Sequence, residues 1–154
     1  MTSERVPYVP PGGPPRVEPP SQAIFAIMGQ DAIFALLEEV YAEFAASAIA
    51  GMFPQHPPAL KHAAEKSGAF FVGLLGGPPL YHQRHGNPAM RARHMPFPID
   101  EAARQEWLRC FFRVLDHAPE RYGFPPEHLP GFRAFLEGFS AWMVNTAPGE
   151  MDAP

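Results

Sequence analysis

The sequence predicts an all-α fold. Three observations carry that reading: apolar residues recur at three- and four-residue steps over four long stretches, no stretch alternates apolar and polar residues as a half-buried strand would, and proline or glycine clusters separate the stretches. The chain has 154 residues, 46% of them hydrophobic, which is enough for one packed core and too little for two ordinary ones.

The first element is an exception. Of 21 prolines, where average usage of roughly 5% gives about eight, Pro7, Pro10, Pro11, Pro14, Pro15, Pro19 and Pro20 fall in the first 20 residues. Proline lacks the backbone donor and fixes φ, so residues 1–20 are expected to form a flexible, extended, proline-rich extension. A plain tail and a proline-rich ligand for another domain both fit it.

From Ser21 the helical period sets in. A short segment from Ala23 to Met28 ends at Gly29. Asp31 then caps a long helix whose Ile33, Phe34, Leu36, Leu37, Val40, Tyr41 and Phe44 form one apolar stripe. The run Phe53-Pro54-Gln55-His56-Pro57-Pro58 is a corner, because each proline pushes the residue before it towards extended geometry. Pro58 suits a first helical turn. Leu60, Ala63, Ala64, Ser67, Phe70, Phe71, Leu74 and Leu75 line the helix that follows, until Gly76-Gly77-Pro78-Pro79 stops it. Leu80 to Ile99, broken by Gly86, Pro88, Pro96 and Pro98, has room for one short helix, opened by Asn87 and Pro88 and closed at His94. Asp100 caps a third long helix with Ala103, Trp107, Cys110, Phe111, Val114 and Leu115 on one face, running to a break at Pro119. The last helix, from Glu127 to Asn145, turns Leu129, Phe132, Phe135, Leu136, Phe139 and Met143 inward. The division expected is an extension over 1–20, a helical domain over 21–146 and a C-terminal tail over 147–154. No internal repeat is present.

Charge and cysteine usage narrow the classes of function. The formal charge is −4, from 12 Lys and Arg against 16 Asp and Glu, and no basic cluster is long enough for a nucleic-acid footprint. A single cysteine, Cys110, leaves no intrachain disulfide framework and no multi-cysteine metal site, and it fits a reducing compartment. No apolar run reaches the length of a membrane span, and Met1-Thr2-Ser3-Glu4-Arg5 leads into prolines instead of a signal core. A cytoplasmic protein is therefore expected. GxGxxG and GxxxxGK loops are absent, and no serine sits on a strand-to-helix elbow, so nucleotide binding and triad hydrolysis have no support.

Of the seven histidines, His56, His62, His82, His85, His117 and His128 fall in corners or on polar faces, where a solvated imidazole is the ordinary outcome. His94 closes a short helix and is fenced by Arg91, Arg93 and the stiff turn Met95-Pro96-Phe97-Pro98. A structural histidine and a ligand both fit that position. No carboxylate or second histidine lies at ligand spacing with His94, so a metal held by several protein groups is unsupported. A haem, whose porphyrin brings four nitrogens, needs one histidine and leaves one position for a diatomic gas. Tyr41 and Trp107 lie on buried stripes, where a phenol O–H and an indole N–H must find partners; core packing with satisfied donors explains them equally well.

The segment Gly76-Gly77-Pro78-Pro79-Leu80-Tyr81, then Arg84, Gly86 and Pro88, then Met90-Arg91-Ala92-Arg93-His94-Met95-Pro96-Phe97-Pro98-Ile99, and Arg104-Gln105-Glu106-Trp107-Leu108-Arg109-Cys110 closely resembles the group II truncated haemoglobins. The match runs almost unbroken from Gly76 to Cys110, and a looser helical pattern extends it over about residues 21 to 146. The resemblance implies a truncated-globin two-over-two helical sandwich, haem b (iron protoporphyrin IX), and reversible binding of O2, CO, NO or similar ligands. By that resemblance His94 is the proximal iron ligand and Trp107 the distal tryptophan. Tyr41 matches the distal tyrosine, and Phe53 the aromatic residue wedged against the haem at the corner. Ala63, Ser67, Phe70 and Phe71 fall on the haem-facing side of the second long helix, and Lys66, Tyr81 and Arg93 match propionate contacts.

Departures from the family pattern shift the expected distal chemistry. Phe53 stands where some members have tyrosine, so Tyr41 has no corner phenol to bond and is free to turn its hydroxyl to the ligand. Ser67 adds a hydroxyl where an apolar side chain is common. Ala63 offers no distal donor. The functional expectation is bound O2 stabilised by Trp107 and Tyr41, with Ser67 at the ligand, serving oxygen storage or transport. A haem redox enzyme, either a nitric-oxide dioxygenase or a peroxidase, is the alternative and needs a separate reductase. A monomer or homodimer is expected.

Overall fold

The computed structural model describes residues 8–147. Expectations that rest on residues 1–7, Pro7 among them, and on 148–154 lie outside the described residues. Eight α-helices are present: α1 (Ile24–Met28), α2 (Gln30–Ala45), α3 (Pro57–Leu74), α4 (Leu80–His85), α5 (Met90–His94), α6 (Glu101–Leu115), α7 (Ala118–Tyr122) and α8 (Leu129–Met143). Short 3-10 turns cover Ala50–Met52 and Pro126–His128. Among the described residues there is no strand, and no helix is long and apolar enough to cross a membrane.

The four long helices form the two-over-two sandwich. α2 packs along α3, α6 along α8, and α2 crosses onto α6. Each does so because its apolar stripe is continuous: Ile33, Leu36, Leu37, Val40 and Phe44 on α2, Leu108, Phe111, Val114 and Leu115 on α6, and Phe132 and Leu136 on α8 are all buried. Aromatic rings fill the middle, with Phe111 5.6 Å from Phe71 and 6.0 Å from Phe132 between centroids, separations at which edge-to-face and tilted pairs add to simple burial.

The ends of the helices show where local signals won and lost. Asp100 caps α6 as expected, its side chain accepting from the Ala103 N–H at 2.8 Å. Asp31 is not a cap; Gly29 holds that place without a side-chain bond, and Asp31 lies in the first turn of α2, where its charge favours the helix dipole. Leu80 to Ile99 contains two short helices instead of one, because the chain re-enters a helix directly after Pro79. Pro119 begins α7 instead of ending the preceding run, since its missing N–H costs nothing in a first turn. α8 stops at Met143, and Val144, Asn145 and Thr146 leave it buried but not helical.

Gly76 fixes the join between α3 and α4. Its φ is +104°, and a Cβ there would lie 2.0 Å from the Gln22 carbonyl oxygen, so only glycine allows this turn and this approach together. Over residues 8–20 the proline-rich segment has no helix and turns at 11–14, where the Gly13 N–H donates to the Pro10 carbonyl at 3.1 Å, yet it is anchored to the domain at points: Pro20 is buried, and the Tyr8 N–H donates to the Asn145 carbonyl at 2.8 Å.

Candidate functional site

A cavity of about 390 Å3 opens between α2, α3, α5, α6 and α8, and its walls are mostly apolar. That volume falls in the range of roughly 300–1,000 Å3 usual for small-molecule and cofactor pockets. Tyr41, Phe53, Ala63, Lys66, Ser67, Phe70, Phe71, Tyr81, Arg93, His94 and Trp107, every residue singled out from the sequence as a site residue, line it. They come from α2, the corner, α3, α4, α5 and α6, so the fold gathers positions more than 60 residues apart around one cavity.

His94 ends α5 half-buried. Its Nδ1 lies 2.6 Å from the Met90 carbonyl oxygen. A carbonyl can only accept, so Nδ1 carries the proton and the neutral ring keeps its lone pair on Nε2. A backbone partner on one nitrogen is the usual device that fixes the tautomer and orientation of a metal-binding imidazole. Met90 is a residue the sequence reading passed over; its spacing of four from His94 was the signal available.

The wall from α2 and α6 is aromatic. Phe44 and Phe53 stack at 4.8 Å, Tyr41 meets both edge-on at 5.2 and 5.6 Å, and Trp107 stacks on Phe44 at 6.0 Å and tilts against Phe111 at 5.2 Å. These contacts hold the indole and phenol rings in place. No acceptor among the described residues takes the Trp107 N–H, and no buried side-chain nitrogen or oxygen lacks a partner, so that N–H borders open space. Tyr41 is half-buried and faces the cavity. Burial pushes its phenol up from the ordinary value, and a hydrogen bond with the Ser67 hydroxyl acts in the opposite sense. The polar neighbour of the phenol is thus Ser67, one helix over on α3 instead of at the corner.

Cations gather at the rim. Lys66 and Arg93 line the cavity, and the imidazole of His85 is held below its usual range, by burial first and then by the charges of Lys66, His62, Arg93 and Arg84. Arg93 is partly committed already. Its Nε and Nη2 donate to the carbonyls of His85 and Asn87 at 2.8–3.1 Å, and its guanidinium lies 5.1 Å from the Tyr81 ring centroid. Its Nη1 has no partner among the described residues.

These residues fit a flat cofactor that brings its own equatorial ligands and takes one nitrogen from the protein. The apolar walls suit a macrocycle, His94 offers a single oriented lone pair, and Lys66 with Arg93 Nη1 suits peripheral carboxylates. Among the described residues no three His, Cys, Asp or Glu side chains cluster as a metal cage, so the donor set is that of one axial base.

Sequence reading missed the polar frame around His94. Asn145, only 1% exposed, donates from Nδ2 to the carbonyls of His94 and Phe97 at 3.3 and 3.0 Å and accepts at Oδ1 from the Ile99 N–H at 2.9 Å. Arg91 reaches three further carbonyls. An asparagine after an apolar helix carries no local signal of such a role.

Comparison with known proteins gives a consistent set of relatives. The bacterial-like globin family matches residues 23–123. The chain is 36% identical over 95 residues to group 2 truncated hemoglobin YjbI of Bacillus subtilis, an alignment covering 62% of this chain and 70% of that protein. Among solved structures, phosphate-bound Hell's gate globin IV superposes with a TM-score of 0.79 at 33% identity, over 96% of this chain and 87% of the other. The truncated oxygen-avid haemoglobin of Bacillus subtilis superposes with a TM-score of 0.70 at 33% identity, over 79% and 98% of the two chains.

Proposed function

The chain belongs to the bacterial-like globin family, and from that premise we propose that its cavity takes haem b, with His94 as the one protein ligand to iron and with Trp107 and Tyr41 as hydrogen-bond donors to O2 or a similar diatomic gas. Haem binding itself follows from the family. Haem would be held by His94 and would supply an iron able to bind a diatomic gas reversibly.

The observation that carries the reading is the single imidazole on an apolar cavity wall, tied at Nδ1 to Met90 and so presenting Nε2. On the same cavity the Trp107 indole N–H has no acceptor among the described residues. The Tyr41 and Ser67 hydroxyls both line the cavity, so each has a proton to offer the gas ligand. Enclosure strengthens these donors, because a hydrogen bond to partial negative charge gains in a low-dielectric, water-poor setting. Lys66 and Arg93 Nη1 are placed for the two propionates. The fit of the cavity to reversible gas binding supports storage or transport as its use.

Spectra of the full chain reconstituted with haem test this. A Soret band is expected, with carbonmonoxy and oxy forms on adding the gases, and His94→Ala should abolish the ferrous axial signature. Loss of one donor bond worth about 1.5–3 kcal/mol speeds O2 release by roughly ten- to a hundredfold in Trp107→Phe and Tyr41→Phe. Absence of any Soret band after reconstitution would overturn haem binding; unchanged O2 release in both single variants and the double would overturn the donor roles.

A further inference from the structure

We infer that Arg91 is a positioning residue for His94, and that the chain's own N-terminal segment, from Tyr8 to Val17, is part of the frame through which it acts. The starting point is the weakness of α5. It has five residues, none of them buried, and no side-chain cap, and Ala89 before it sits at φ +33°. A helix that short does not persist by itself, and a left-handed alanine costs free energy that the surroundings must offset.

Arg91 supplies much of that support, and it does so through backbone carbonyls distant in sequence. Nη1 donates to Trp142 O at 2.5 Å and Val144 O at 2.9 Å, while Nη2 donates to Tyr8 O at 2.8 Å. The guanidinium also lies 4.2 Å from the centroid of the Trp142 ring. A planar fork with five donors can meet three fixed acceptors and an aromatic face at once; a lysine ammonium cannot.

Tyr8 is bound twice. Its carbonyl takes Arg91, and its N–H donates to Asn145 O at 2.8 Å. Asn145 in turn holds the carbonyl of His94. Two short paths therefore run from Tyr8 to the helix that carries His94, one through a guanidinium and one through an amide. Further along, Val17 presses against α8 at Gly138, where a Cβ would fall 2.6 Å from a Val17 methyl. Only the missing side chain lets the segment lie this close. Pro14, Pro15 and Val17 thereby wall a groove of about 430 Å3 whose other side includes Met90 and Arg91. The segment that composition marks as an appendage is, from residue 8, a strap across the back of α5.

The consequence for a haem ligand rests on the reading of His94 given above; the mechanical coupling does not, and the experiment separates them. Hydrogen exchange is measured over residues 89–98 in the full haem-free chain for Tyr8→Pro, read against Tyr8→Ala, which loses the same core-packed ring but keeps the N–H, for Gly138→Leu, which displaces Val17, and for Arg91→Lys. Each should speed exchange there by about three- to tenfold, the effect of losing one or two hydrogen bonds, with α2 unchanged. In the haem-loaded ferrous protein the same variants should shift the iron–histidine stretching band, in the same order. Unchanged exchange over 89–98 in all three variants would overturn the proposal. So would an increase shared equally by α2, which reports global loosening, or a band that stays fixed while exchange quickens. A chain that shows the exchange response but no Soret band loses the haem reading alone; one that keeps the Soret band without the exchange response loses this one alone.

Discussion

Trp107 and Tyr41 stand on helices of 15 and 16 residues that bury continuous apolar stripes, whereas His94 stands on a helix of five with no buried residue. The first pair is held by rings: Phe44, Phe53 and Phe111 surround them at 5.2–6.0 Å. The histidine is held by hydrogen bonds to backbone, from Arg91, Arg93 and Asn145. Apolar packing is non-directional and tolerant of small shifts. A lattice of donors and carbonyls fixes angles, and loses much of its value when one member goes. One side of the cavity is thus built for enclosure and the other for orientation.

The largest effect that would sharpen this contrast is expected from Phe44→Ala. Phe44 is fully buried and touches Tyr41, Phe53 and Trp107, so its truncation should cost about 3–5 kcal/mol of global stability. Denaturant unfolding measures that loss, and hydrogen exchange over 89–98 should follow the global change without any extra local opening. Equal or greater local opening at α5 would break the distinction between the two sides.

Asn145→Ala comes next. It strands the Phe97 carbonyl and the Ile99 N–H and leaves the His94 carbonyl with only its bond from the Phe97 N–H, and leaving such groups unsatisfied should cost about 2–4 kcal/mol. Here the loss should be concentrated: exchange at 89–99 should rise before that of α2 or α6 in mild denaturant. A uniform response across the helices would show that the polar frame is merely part of the common core.

A smaller change is expected on the aromatic side from Ser67→Ala. Burial raises the Tyr41 phenol and the Ser67 bond lowers it, so removing the hydroxyl should move the Tyr41 titration further up, as read by ultraviolet difference spectra at alkaline pH. No movement, or a downward one, would mean that Tyr41 does not depend on Ser67.

The smallest effect lies away from the cavity, where α7 meets α2. Burial opposes ionisation of Glu39, but hydrogen bonds from Tyr122 and Arg121 and the charges of Arg121 and His117 outweigh it and hold the carboxyl below its ordinary value. The stability this contributes is present above the unfolded carboxylate pKa and is lost as pH falls through the folded one. Tyr122 is pushed up to about 12 from 10.0, by burial first and then by its bond to Glu39, so its contribution is complete below about 10 and disappears as pH rises through about 12. Tyr122→Phe should flatten the pH dependence of unfolding in both windows while leaving the absorption spectrum of bound haem unchanged; an altered spectrum would tie this distant pair to the site.

Legibility in the sequence followed the same divide. Tyr41, Ser67, Phe70, Phe71 and Trp107 each sit on a stripe of period 3.6, and a helix that buries one face must turn these side chains inward whatever it packs against, but it was the resemblance to the truncated haemoglobins that set them at the site. His94 was found through its motif and its fence of prolines and arginines. The splitting of Leu80 to Ile99 into two helices was missed, because proline clusters read as stops also serve as first turns. Arg91 stood in plain view as a neighbour of His94, but its acceptors lie at Tyr8, Trp142 and Val144, which no spacing rule connects.

By itself the sequence determined the all-helical class, the four amphipathic stripes, the corner residues and the chemistry available to the cavity, since hydrophobic period, capping and proline geometry act within a few residues along the chain. Only the tertiary structure decided which carbonyls Arg91 meets, that Asn145 bonds the His94 carbonyl, and that the proline-rich segment helps hold α5. Those outcomes depend on backbone carbonyls brought together from positions 8, 94, 142 and 144, and every residue carries a carbonyl, so nothing in the identity of a residue announces which one a distant donor will meet.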